Sequence, residues 1–200
     1  AASDVYKRQD MDKAQLAAME KAPLGYAAKI RAKIETLLES HYRENFERWL
    51  ETERIVCKPY FRLRPSIHPA TYTDIYARSL YAAEDGDMNK LEQKLIVELT
   101  ALPNVRWWHR NIARQDFAIN GFIKHYPDIL IMTKSGKLIC AETKGEHLKN
   151  DDSREKIALG QAWRTAAGKD FRYYMVFENE ENLLPGAMSM SQFIDTIKAL

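Results

Sequence analysis

Three residues define the chemistry open to this sequence: Asp128, Glu142 and Lys144. Apolar runs at 129–132 and 138–141 flank the turn Lys134-Ser135-Gly136, so the segment reads as two strands folded back on each other. If the turn is a three-residue loop with Gly136 in the left-handed conformation, Thr133 pairs with Lys137. Counting outward then sets Asp128 opposite Glu142 with both side chains on one face, and Lys144 joins them two residues on. A two-residue loop would instead send Asp128 to the opposite face. The register is therefore the hinge of the reading.

Such a cluster suits phosphodiester hydrolysis. Two carboxylates, helped by a backbone carbonyl such as that of Thr143, offer hard oxygen ligands to Mg2+ and leave positions open for water and phosphate. The cation would polarise the phosphoryl group and lower the pKa of bound water. Lysine adds a point charge that orients water or phosphate, and Gly145, directly after Lys144, would let a backbone approach closely. Each piece alone has an ordinary explanation: a Glu-x-Lys pair on a strand is usually solvated, and Pro-Asp often only starts a strand. All three facing one way in a single hairpin is the rarer arrangement.

The surrounding elements must position this hairpin. Residues 11–22 and 26–54 read as helices, the second placing Ile30, Ile34, Leu37, Leu38, Tyr42, Phe46 and Trp49 at threes and fours. Residues 55–63 look like an extended edge segment carrying Pro59, and 64–72, with Pro65 and Pro69, like a connector. A helix is predicted over 87–102, stopped by Pro103, and strands over 105–110, 129–132, 138–143 and 171–177. Asp152 and Glu155 stand as N-cap and N3 of a helix ending at Gly168, and 190–200 closes the chain as a helix. The order α-β-β-β-α-β-α predicts a mixed α/β (α+β) fold whose apolar central strands are covered on both faces. Domain expectations are a helical connector over 1–80 and the site-bearing domain over 81–200.

At this point the residues resemble a known family. Pro127-Asp128, thirteen residues, then Glu142-Thr143-Lys144 is similar to the motif of the PD-(D/E)xK nuclease superfamily. More narrowly, Trp108-His109-Arg110-Asn111, Phe117, Gly121-Phe122, Tyr126-Pro127-Asp128, Glu142-Thr143-Lys144-Gly145, His147-Leu148 and Trp163 resemble the C-terminal endonuclease domain of type III restriction enzyme restriction subunits, over residues 75–180. The resemblance implies a restriction-endonuclease-like core, α-β-β-β-α-β, behind a helical N-terminal appendage. It implies an endonuclease that needs one or two Mg2+ ions and acts on double-stranded DNA. A modification subunit supplies sequence recognition, and an upstream helicase region uses ATP. No Gly-x-x-x-x-Gly-Lys-[Ser/Thr] loop occurs in this chain. The family also places a metal-binding or metal-orienting glutamate on the first core helix, which maps to Glu92, with Glu98 as its competitor. Alternatives are a nuclease of another helicase–nuclease or mobile-element system, and a nuclease-derived fold that only binds DNA or a partner.

Other residues have lesser claims. Gln161 resembles the helix glutamine of exonuclease-like branches, without the tyrosine that follows it there. Arg110 and Asn111 end a strand beside the sheet, where Arg110 could touch phosphate or form a buried ion pair. His147 either joins the site or simply packs. Lys124, Lys134, Lys137, Lys149, Arg154 and Lys156 could line a backbone groove, and an ordinary solvated surface explains each equally. Of Trp107 and Trp108, alternating across a strand, at least one is expected in the core.

Bulk properties bound the rest. The chain has 200 residues, 46% hydrophobic, and a net charge of +2, with pI 8.4. That balance permits nucleic-acid binding without arguing for it. No apolar run is long enough for a membrane span, and residues 1–9 lack a secretory hydrophobic stretch. Two cysteines, Cys57 and Cys140, make no disulfide framework, which fits a reducing cytoplasmic setting. Position 1 is not Met, so the chain reads as a fragment or as having a foreign start.

Overall fold

The computed structural model describes residues 12–200. The reading of residues 1–9, and the first position of the predicted 11–22 helix, fall outside that range. The chain divides into two compact units, one ending at Arg54 and the other spanning Ile55–Leu200.

In the first unit, α1 (Lys13–Lys21) starts with a capping box in which Asp12 accepts from the Gln15 amide and Gln15 reaches back to the Asp12 amide. Pro23 does not merely punctuate. It opens α2 (Pro23–Glu51) in the first turn, where its missing N–H costs nothing. Neither helix has a buried residue.

The second unit is built on a five-stranded mixed sheet. Two short hairpin strands, β1 (Tyr72–Thr73) and β2 (Glu84–Asp85), precede α3 (Lys90–Ala101). Then come β3 (Val105–Arg110), the small hairpin β4 (Ile119–Asn120) and β5 (Lys124–His125), and the hairpin β6 (Ile129–Thr133) and β7 (Leu138–Lys144). Helix α4 (Asp151–Ala167) crosses to β8 (Phe171–Phe177), followed by β9 (Ala187–Ser189) and α5 (Met190–Lys198). The sheet order is β3-β6-β7-β8-β9. The first two pairings are antiparallel and the last two parallel.

Alternation along these strands fills two cores. Ile129, Ile131, Ile139, Ala141, Tyr174 and Val176 face one side, where Leu95, Ile96 and Leu99 of α3 and Phe193, Ile194 and Ile197 of α5 cover them. Trp108 joins this core fully buried, while Trp107 is half-buried. On the other face α4 lies close because Gly160 has no side chain: a Cβ there would stand 2.0 Å from Cδ1 of Tyr173. Trp163 of α4 packs edge-on against Phe117 and Phe171.

Several local expectations need correction. Residues 55–63 form no strand. Residues 55–80 belong to the sheet-bearing unit instead of a separate connector: Ile67 is buried, Tyr81 donates its hydroxyl to the Arg64 carbonyl, and Ser79 bridges to Trp108. The N-cap of α4 is Asn150, two residues before Asp152, and its side chain accepts from the Ser153 amide. The short hairpins and β9 were not legible as periodic runs. No described helix is long and apolar enough to cross a membrane.

Candidate active site

The β6–β7 turn is a three-residue loop. Gly136 has φ 85°, the Thr133 amide donates to the Lys137 carbonyl at 2.9 Å, and the ladder pairs Met132 with Leu138 through Ile129 with Ala141. Asp128 lies in a bend just before β6, and that register carried one step further would set it opposite Glu142. Antiparallel pairs alternate between hydrogen-bonded and open, so the step after that would pair Thr143 with Pro127. Pro127 has no N–H to donate. The Thr143 amide is met instead by Oδ2 of Asp128, at 2.8 Å, and the Thr143 hydroxyl donates to the same oxygen at 3.0 Å. The Thr143 carbonyl on that side receives no backbone donor from residue 127. The proline therefore opens the strand end where two acids and a carbonyl meet.

The carboxylates influence each other. Burial and then the charge of Glu142 push Asp128 up to about 6, against the pull of Arg110 and of the Thr143 hydrogen bonds. Glu142 is buried, with its Oε1 2.8 Å from Nζ of Lys144 and 3.5 Å from Nζ of Lys156 on α4. Its Oε2 is buried without a hydrogen-bond partner, with Nε2 of His125 3.8 Å away. Lys144 is half-buried. Burial alone would lower its pKa, but the charge and hydrogen bond of Glu142, with Asp128 behind, hold it above the usual lysine value. It is an ammonium and donates only.

The remaining predicted residues are placed as follows. Glu92 is buried on α3, whereas its competitor Glu98 is exposed. The Glu92 oxygens are engaged: Oε2 accepts from the Asn89 amide at 3.1 Å in a capping box, and Oε1 accepts from Arg110 at 3.2 Å. Arg110 in turn donates to the Asp128 carbonyl at 3.0 Å and lies 3.9 Å from Oδ1 of Asp128. Glu92 thus reaches the cluster through Arg110, which is an internal brace and not a surface cation. Asn111 is buried, donating to the carbonyls of Phe117 and Pro127, and so holds the Pro127 turn. The close approach at Gly145 is to the ring of His147, 2.9 Å from where a Cβ would be. His147 itself is exposed. Gln161 is exposed and packs under Gly186, five residues and so about 140° around α4 from Lys156. It is not brought to the cluster.

Two neighbours escaped the sequence reading. His125 on β5 is buried, its Nε2 3.0 Å from the Tyr173 hydroxyl. Burial and the lysines 156 and 144 depress it to about 3, so its imidazole is neutral. Burial first, then the two acids, raises the Tyr173 hydroxyl. Tyr173 lies beside Cys140 in the β7–β8 ladder, one position of the alternation before Glu142. That pairing depends on the parallel register, which no local pattern encodes.

A second buried constellation anchors the end of β3. His109 is sandwiched between Oε2 of Glu84 at 2.7 Å and Oδ2 of Asp116 at 3.3 Å. Asp116 also holds Arg64 at 2.8 Å and the Ile112 amide at 2.9 Å. Glu84 further accepts from the Arg110 amide. The strand end that presents Arg110 and Asn111 to the Pro127-Asp128 turn is thereby fastened from behind.

The donor set fits a hard divalent cation. Asp128, the unpartnered Oε2 of Glu142 and the Thr143 carbonyl are all oxygens. Among the described residues, no group of three or more His, Cys, Asp or Glu side chains is gathered for metal binding. No family model, curated protein or solved structure matches this chain.

Proposed function

We propose that this chain is a divalent-cation-dependent endonuclease domain that hydrolyses DNA phosphodiester bonds, with a PD-(D/E)xK-type site on a restriction-endonuclease-like core. The observation that carries the reading is the Asp128 carboxylate held by the amide of Thr143, the residue after Glu142, at the proline-opened end of the β6–β7 hairpin, with Lys144 on Glu142. Asp128, Glu142 and the Thr143 carbonyl would hold Mg2+. The bound cation would supply charge neutralisation at the phosphoryl group and a more acidic water.

The chain's own groups have separable tasks. The Thr143 amide and hydroxyl fix the Asp128 carboxylate in rotation, leaving Oδ1 for a ligand. The Lys144 ammonium, kept protonated by two acids, orients the attacking water or a phosphate oxygen and offsets developing negative charge. Arg110 and Glu92 fix the backbone at Asp128. In the reaction, a water oxygen forms a bond to phosphorus while its proton passes to solvent, and the P–O bond to the leaving sugar breaks, the sugar oxygen taking a proton from solvent. The motif and its spacing further favour the cleavage module of a type III restriction enzyme, working with an upstream ATP-using helicase region and a modification subunit. Incubation with supercoiled plasmid tests the activity: conversion to open-circular or linear DNA with Mg2+ and none with EDTA is expected, and equal results in both would refute it.

A further inference from the structure

The proposed chemistry uses one lysine, yet two converge on Glu142. Nζ of Lys144 and Nζ of Lys156 both approach Oε1, at 2.8 and 3.5 Å. They arrive from different elements, β7 and α4, and their relative placement is fixed by packing. Gly160, one turn beyond Lys156, is pressed against the Tyr173 ring, and Ile157 and Leu159 are buried. The Lys156 side chain is 21% exposed, so its ammonium stands at the rim of the site. Its other partner, Asp152 at 3.0 Å, is 61% exposed, a surface i,i+4 pair that holds it weakly.

Two ammonium groups on one carboxylate oxygen repel each other, and the neighbouring acids Glu142 and Asp128 are what balance them. A dication taken up by those two acids would tip the balance toward the positive, because the same carboxylates cannot serve a dication and two ammoniums at equal strength. The free energy would then favour an anion beside both lysines. Resting on the nuclease reading above, we propose that Lys156 is a second phosphate-contacting catalytic residue. In this role Glu142 is its placeholder, and a non-bridging oxygen of the DNA phosphate replaces that carboxylate as its partner. Lys144 and Lys156 together bracket the phosphate from the strand side and the helix side.

The test compares the full chain with Lys156→Gln, Lys156→Arg and Asp152→Ala. The probes are cleavage of a labelled duplex in Mg2+, and duplex binding by anisotropy in Ca2+ across a salt series. Expected for Lys156→Gln is a fall in saturated cleavage rate of about tenfold or more, with the slope of log affinity against log salt reduced by about one. Lys156→Arg should restore the slope and most of the rate, and Asp152→Ala should change neither. A merely structural lysine would not move the salt slope. Wild-type cleavage, affinity and slope in folded Lys156→Gln would overturn the inference while the nuclease reading stood. A wild-type chain that cuts no DNA would overturn both.

Discussion

The backbone amide of Thr143 donates to Oδ2 of Asp128 at 2.8 Å, so the strand bearing Glu142 and Lys144 itself holds the Asp128 carboxylate. Asp128 is thereby kept beside a like charge in a largely buried place, and its raised pKa records the cost. Such tension is expected where a cation belongs.

That tension makes a stability prediction. An acid with a folded-state value of about 6 and an unfolded value of 3.8 binds protons more tightly when folded. Stability should therefore fall as pH rises from about 4 through about 6. In metal-free protein at pH 7, Asp128→Asn should raise the melting temperature, since its amide oxygen can still accept from Thr143 and the repulsion with Glu142 is gone. Scanning calorimetry checks this. A lower melting temperature for the variant at pH 7, with no difference at pH 4, would contradict it.

His109 predicts the behaviour on the other side of neutrality. Burial alone would drive off its proton, but the hydrogen bonds and charges of Asp116 and Glu84 more than offset this, and its pKa is raised above 6.5. The sandwich should stabilise fully below pH 6.5 and weaken as pH rises through the folded-state value. His109→Gln should remove that alkaline decline and lower stability at pH 6. Thermal denaturation across pH 6 to 9 reads both.

Gly160 sets how closely α4 can lie on the sheet. Gly160→Ala places a Cβ 2.0 Å from the Tyr173 ring and should cost about 1–3 kcal/mol through forced repacking. Because α4 carries Lys156 and Tyr173 contacts His125, cleavage should drop further than the melting temperature alone explains. Unchanged stability by urea titration would show that the helix shifts freely.

Lys144 separates chemistry from binding. Lys144→Gln should slow the cleavage step by about 100-fold or more while duplex affinity in Ca2+ changes by only a few fold. Equal losses in both would assign it to binding alone.

Legibility in the sequence followed interaction range. Gly136 with flanking alternation was enough to set the hairpin register from Thr133 and Lys137 outward to Ile129 and Ala141, because turn chemistry is local. The helices α3, α4 and α5 were visible in their apolar periodicity and punctuation. The partnership of Arg110 with Glu92, the pairing of His109 with Glu84 and the His125–Tyr173 contact were not, since each joins residues 18 to 48 positions apart. Arg110 and Asn111 illustrate the limit: both types are common DNA contacts, and here buried carbonyls and a carboxylate claim them first. The Pro59 segment misled in the other direction, because β-rich composition does not by itself make a strand, and residues 55–63 form none.

The central claim is that Asp128 and Glu142 together hold the cation that makes phosphodiester cleavage possible. The most direct measurement is the single-turnover cleavage rate of an end-labelled duplex in Mg2+, for wild type, Asp128→Asn and Glu142→Gln, each shown to be folded. The account predicts cutting by wild type and losses of about a thousandfold or more in both variants, the several kcal/mol a bound cation supplies. Cleavage by either variant at the wild-type rate would contradict it.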